Sequence, residues 1–122
     1  MAVRRIVANV AAQDLEKADA FYRDILQLDV LMDLGWIRTY GADTQMTVQI
    51  SIAQEGGSGT VVPDLSIEVE DLDQVLARLR AANVPIEYGP VVEPWGVFRC
   101  YVRDPFGRLV NLLEHRAPVD DA

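Results

Sequence analysis

The chain has one cysteine, Cys100, in 122 residues, which excludes an internal disulfide and any thiolate-held metal cluster. Cys100 therefore reads as a small hydrophobe within a strand. The only histidine, His115, is remote from it in sequence, so a cysteine–histidine nucleophile is not indicated. No apolar run approaches the roughly 20 residues a membrane span needs, and no membrane partner is expected. The first residues lack the basic stretch and apolar segment of a secretory signal, which makes the cytoplasm the expected compartment. Positive charge is also scarce: 11 bases stand against 19 acids, the formal net charge is −8, and no Lys/Arg stripe occurs. A nucleic acid partner is excluded on this ground, because its phosphates would be repelled; a neutral or cationic molecule is easier to accept.

What remains is a chain that is 50% hydrophobic and 25% charged, long enough for one globular domain with its own core. Its most informative stretch runs from Pro94 to His115. Two β-prone segments flank Asp104-Pro105-Phe106-Gly107, where Pro presets φ and Gly accepts the closing geometry, so a hairpin is predicted. In its second strand Leu109, Asn111 and Leu113 share one face, and Val110 and Leu112 the other. A single amide thus sits on an apolar row and needs a partner, a water or a ligand.

Upstream, Arg4 to Ala12 is a short β-prone run. Asp14 is placed to cap a helix in which Ala18, Phe21, Tyr22, Ile25 and Leu26 recur at helical spacing. Strands are predicted at Val30–Asp33, Gly35–Gly41 and Gln45–Ile52. In the last of these, Gln45, Thr47, Gln49 and Ser51 alternate with apolar residues. Residues 55–62, opening Glu55-Gly56-Gly57-Ser58-Gly59-Thr60, have the composition of a flexible linker. Beyond it the order begins again. Asp64 to Glu70 alternates as a strand, and Asp71 caps a helix with a stripe of Leu72, Val75, Leu76 and Leu79 that Asn83 ends. A strand at Ile86–Pro90 and the hairpin follow.

Asp14-Leu15 recurs as Asp71-Leu72, and Ile37–Tyr40 as Phe98–Tyr101, an offset of about sixty residues in both cases. The reading is an internal repeat within one domain, 1–122: module one at 1–54, a linker at 55–62, and module two at 63–116. Each module is strand, helix, three strands. The fold class is α+β, two βαβββ modules pairing mixed sheets around a concave cleft that neither would enclose alone.

This order resembles the vicinal oxygen chelate superfamily, which includes glyoxalase I, extradiol dioxygenases, and fosfomycin- and bleomycin-resistance proteins. The resemblance rests on Asp14-Leu15…Ala20-Phe21-Tyr22-Arg23-Asp24 and on Trp95-Gly96…Asp104-Pro105-Phe106-Gly107-Arg108…Glu114-His115. Metal-binding members place a His seven residues before the Asp that opens each helix and a Glu in the last strand of each module. The matching residues here are Val7, Asp64, Gln49 and Asn111. Val7 offers no donor atom, the two amides are weak neutral ligands, and only Asp64 is a competent carboxylate. The resemblance then implies a metal-free member without cofactor, close to the bleomycin-resistance branch, that binds a small organic ligand as a homodimer.

If Asp64 faces the cleft, strand parity sends Ser66 and Glu68 the same way and Leu65, Ile67 and Val69 toward the helix. Asn9, Gln49 and Asn111 join them as candidate ligand contacts. Arg38 and Arg99, at equivalent places in the two modules, are candidates whose parity is open, with Asp64 and Glu68 as the expected partners. The polar row has a plainer reading, in which these groups bond to one another or to water. Trp36 and Trp95 are open to ligand stacking or to packing. The alternative function is a lyase, isomerase or dioxygenase-type enzyme of the same superfamily using Asp64 or Glu68 as a base. Glyoxalase-like lyase or dioxygenase chemistry is the form such an activity would take.

Overall fold

The computed structural model describes residues 7–43 and 51–116. They fall into two compact units, Met1–Gln54 and Glu55–Ala122. Among the described residues, no helix is long and apolar enough to cross a membrane.

In the first unit Asp14 caps α1 (Leu15–Ala18), its carboxylate accepting the Glu16 N–H at 3.0 Å. The helix then widens into a π-helical segment, Asp19–Ile25. The predicted apolar face is buried at Ala18, Phe21 and Ile25. β1 (Asp29–Asp33) and β2 (Arg38–Gly41) pair antiparallel, with a bulge between Val30 and Met32. Asp33 Oδ1 accepts the Gly35 N–H in the connecting turn. Of the predicted first strand, Arg4–Ala12, residues 7–12 have no regular structure and the rest lie outside the described residues. The predicted strand Gln45–Ile52 also falls mainly outside them; Ser51 and Ile52 are not in a strand.

The second unit has the full predicted order: β3 (Leu65–Glu68), α2 (Leu72–Ala81), β4 (Ile86–Val92), β5 (Val97–Arg103) and β6 (Leu109–His115). The strands lie in the order β3-β6-β5-β4, with β3 parallel to β6 and the other pairs antiparallel. Asp71 caps α2 by accepting the Gln74 N–H at 3.2 Å, and the helix packs on β6. Leu72, Val75, Leu76 and Leu79 are all buried, as their spacing predicts, and together with Val110 and Leu112 they form the core. Asn83 ends α2 in a left-handed conformation, at φ 57°, where a short polar side chain is tolerated. In the β5–β6 turn the buried Asp104 carboxylate accepts the N–H groups of Phe106 and Arg108 at 2.8 and 2.9 Å. Gly107 there has φ 82°.

Residues 55–62 differ from the linker expectation. They belong to the second unit and are tied down: Gly56 N–H reaches Thr60 O at 2.8 Å, and Tyr101 Oη donates toward the Gly56 and Val61 carbonyls, both at 3.3 Å. The glycines serve close approach. A Cβ on Gly56 would stand 2.2 Å from the Val61 carbonyl oxygen and 2.3 Å from the Tyr101 hydroxyl.

Candidate functional site

The face of the second unit's sheet away from α2 carries the polar side chains. Register fixes this: Ser66 lies opposite Asn111 and Glu68 opposite Leu113, while Tyr101 and Arg99 flank Asn111 and Leu113 on the other side. Leu65, Ile67, Val110 and Leu112 take the opposite parity. Cys100, between Arg99 and Tyr101, is on the helix side, where its thiol feels the charge of Arg80.

Arg99 is the centre of this face. Its guanidinium donates to Glu93 through Nε (3.1 Å) and Nη2 (2.8 Å), to Tyr101 Oη at 3.0 Å and to the Gly57 carbonyl at 3.3 Å. The rings of Tyr101, Trp95 and Tyr88 stand 5.0, 5.1 and 5.4 Å from its central carbon, within cation–π range. Glu93 also accepts from Ser58 and Tyr88. Trp95 remains 52% exposed and is the open aromatic surface of the cluster.

Beside it, Asn111 Nδ2 donates to Ser66 Oγ at 3.2 Å. Asn111 is 8% exposed, and its Oδ1 has no hydrogen-bond partner among the described residues. Leaving a buried acceptor unpaired costs about 1–3 kcal/mol, so this half-used carboxamide calls for an explanation. At the far end of the face, His115 Nδ1 and Glu68 Oε1 are hydrogen-bonded, both side chains being substantially exposed.

The other predicted site residues have different surroundings. Asp64 Oδ2 accepts the Leu109 N–H at 2.8 Å while its own N–H reaches Leu109 O at 2.8 Å, so its carboxylate clamps the start of β3 to β6. Arg38 pairs with Asp19 at 2.9 Å and Asp33 at 3.1 Å in the first unit. The expected pairing of Arg38 and Arg99 with Asp64 and Glu68 is therefore corrected: each arginine has a carboxylate partner in its own unit, and Asp64 and Glu68 bond elsewhere. Asn9 is exposed and makes a long contact, 3.5 Å, with the Val7 carbonyl. Gln49 lies outside the described residues.

Two features were not anticipated from sequence. Asp19 accepts from Tyr40 and Arg38, and these bonds, Tyr40's foremost, hold its carboxyl below the usual carboxylate range. An open depression of about 460 Å³ borders this network, rimmed by Glu16 and by the ion-paired Asp19, Arg23, Asp24, Asp33 and Arg38. In the second unit, Asp71, Asp73 and Glu114 converge within 4.8 Å, and Arg116 reaches Glu114 at 3.1 Å and Asp73 at 3.7 Å. Glu93 had one signal in the sequence: it is a lone acid between Val91-Val92 and Pro94-Trp95.

The family model described as the Glyoxalase/Bleomycin resistance protein/Dioxygenase superfamily matches residues 5–112. Among solved structures, the chain is similar to lactoylglutathione lyase from Agrobacterium tumefaciens, with 25% identity over 93% of this chain and 92% of that one and a TM-score of 0.63. It is likewise similar to TnmS3, an antibiotic binding protein from Streptomyces sp. CB03234, with 26% identity over 94% and 96% of the two chains and a TM-score of 0.62. TioX from Micromonospora sp. ML1 shares the fold at 19% identity, covering 93% and 98%, with a TM-score of 0.62. No curated protein sequence matches the chain significantly. With α+β architecture, matching folds across nearly its full length and a family model spanning most of its residues, the chain belongs to the glyoxalase/bleomycin resistance protein/dioxygenase superfamily.

Proposed function

We propose that this chain is a metal-free member of its superfamily that binds a small organic ligand, acting as a cytoplasmic homodimer. The ligand rests on the polar sheet face, against the exposed Ser66, Glu68 and Trp95 and the carboxamide of Asn111. Arg99 acts indirectly, since its donors are engaged by Glu93, Tyr101 and Gly57. Asn9, Arg38 and Gln49 are assigned as polar ligand contacts of the first module by itself.

The observation that carries this reading is the chemistry at the positions where metal-binding relatives keep their ligands. Val7 has no donor atom, Asp64 has committed a carboxylate oxygen to the Leu109 N–H, and Asn111 presents a neutral carboxamide bonded to Ser66. Such a set does not fit a divalent ion, which needs several charged or imidazole donors converging on one point. It does fit uncharged hydrogen bonding beside an exposed indole, the composition of a small-molecule site. The net charge of −8 and the exposed Asp64 and Glu68 favour a neutral or cationic ligand over an anion. The similarity to an antibiotic binding protein supports the same class of ligand.

The test is a tryptophan-fluorescence titration of chelator-treated protein with a panel of aromatic antibiotics that includes bleomycin, alongside elemental analysis. Saturable quenching that survives chelation and weakens in Trp95→Phe is expected. A stoichiometric divalent metal whose removal abolishes binding overturns the proposal.

The bond between His115 and Glu68 favours a second reading. A carboxylate holding Nδ1 leaves Nε2 to take a proton, which suits a lyase or isomerase of the kind the similarity to lactoylglutathione lyase suggests. Turnover of the methylglyoxal–glutathione hemithioacetal, lost in both Glu68→Gln and His115→Ala, would establish it.

A further inference from the structure

The Ser66–Asn111 pair has a property that holds whichever way the Asn111 amide is turned. With Nδ2 donating to Ser66 Oγ, as the geometry has it, Oδ1 is left as an unpaired acceptor and the Ser66 hydroxyl proton is left to donate. With the amide turned over, the Ser66 hydroxyl donates to Oδ1, Nδ2 is left as an unpaired donor, and Ser66 keeps a lone pair. Both arrangements leave at least one donor and one acceptor side by side. Among the described residues no neighbour fills the gap: the Tyr101 hydroxyl, across the register from Asn111, is engaged by Thr60 at 2.9 Å, Arg99 at 3.0 Å and two loop carbonyls. Ser66 is exposed, so the pair meets solvent at its Ser66 end, with the buried Asn111 carboxamide behind it.

We infer that Ser66 and Asn111 together recognise an amide edge, the adjacent N–H and C=O of a lactam or carboxamide carried by an aromatic ligand. This rests on the proposed function and deepens it by naming the ligand group that the face selects. A carboxylate offers two acceptors and no donor, so it satisfies only half of the pair, and Glu68 on the same strand face repels it. An ester or lactone lacks the donor, and an N-alkylated amide has lost it. An unsubstituted lactam meets both groups at once, and its flat ring can lie along Leu113 toward the exposed indole of Trp95.

Isocarbostyril, its N-methyl derivative and isocoumarin differ mainly at this edge and serve as probes. Each is titrated to millimolar concentration into the full chain while the side-chain amide resonances of Asn111 are followed by NMR. The expected result is that isocarbostyril shifts these resonances and binds about tenfold more tightly than either analogue, as one well-made hydrogen bond to an otherwise unpaired group requires. The preference should vanish in Asn111→Leu and in Ser66→Ala; the second variant keeps the test decisive if the first does not fold. Equal binding of all three probes, binding of none of them, or an ordered water that stays on Asn111 while isocarbostyril binds elsewhere would each overturn the inference. Antibiotic quenching of Trp95 in the chelator-treated protein would be untouched by those outcomes, so failure here is distinct from failure of the proposed function.

Discussion

Arg99 and Glu93 form an ion pair sealed from solvent, with Nη2 2.8 Å from Oε2 and the two side chains 4% and 3% exposed. They are six residues apart across the β4–β5 turn. The pair gathers Tyr88, Trp95 and Tyr101 around the cation and draws Ser58 and the Gly57 carbonyl onto the sheet. Removing two charges from water is costly, and it is sustained here because nearly every donor of the guanidinium meets an acceptor.

That arrangement makes Glu93 more important to stability than its isolated position in the sequence suggests. Glu93→Ala leaves the Arg99 cation buried without its counter-charge, which should destabilise the fold by about 3 kcal/mol. Glu93→Gln keeps the shape and some of the bonds and should cost less. Urea denaturation of the two variants checks this; equal midpoints for Glu93→Ala and the parent would show that the pair contributes nothing net.

Gly56→Ala should release the loop, and with it the Gly57 carbonyl and the Tyr101 hydroxyl to which Arg99 donates. The added Cβ would meet the Val61 carbonyl and the Tyr101 hydroxyl at 2.2 and 2.3 Å, and backbone cannot step aside as a flexible side chain can. Limited proteolysis should therefore cut within residues 55–62 much faster in the variant. Unchanged protection would mean that the loop accepts the methyl by moving as a whole.

The second unit was legible wherever a local rule fixes the geometry. The spacing of Leu72, Val75, Leu76 and Leu79 defines a helix face, and Asp104-Pro105-Phe106-Gly107 defines a turn, because both depend only on residues near in sequence. Parity along β6 likewise placed Asn111 opposite Val110 and Leu112. The partners of Arg99 were not legible. Glu93 lies in an irregular turn where period-two reasoning does not apply, and the glycines of residues 55–60 read as freedom when their use is close approach to Tyr101. Asp64 shows a third limit: a carboxylate at a ligand-like position is engaged by the Leu109 amide, which depends on a β3–β6 contact far apart in the chain.

Asp64→Ala should therefore report on folding. It removes a charge-assisted bond to the Leu109 amide at the start of the parallel pair, an effect of about 1–2 kcal/mol at this exposed position. Thermal denaturation measures it, and amide exchange at Leu109 should quicken. Unaltered stability, together with lost binding of the antibiotic panel, would move Asp64 from the scaffold to the ligand site.

Cys100 is fully buried, and burial pushes its thiol up to about 11. The thiolate is the reactive form, so the native protein should resist Ellman's reagent at about pH 8 and react once denatured. Rapid labelling of the folded chain would indicate that the β5 core opens far more often than its packing implies.

Tyr40 and Asp19 give a pH dependence whose sign follows from the direction of the shift. The Tyr40 hydroxyl is the largest influence lowering the Asp19 carboxyl, aided by Arg38 and Arg23. A folded-state value below the unfolded one, about 3.9 for an aspartate, gives stability that is present above that unfolded value. It is lost as pH falls through the lower, folded value. Tyr40→Phe removes the chief cause, so Asp19 should titrate closer to its ordinary range and the tie between the helix and β2 should weaken at a higher pH than in the parent. Carbon-detected titration of the Asp19 carboxyl in the parent and in Tyr40→Phe reads this directly. Identical titration of Asp19 in parent and Tyr40→Phe would assign the depression to Arg38 and Arg23 instead, and the first unit's anchor would then be the arginine pair.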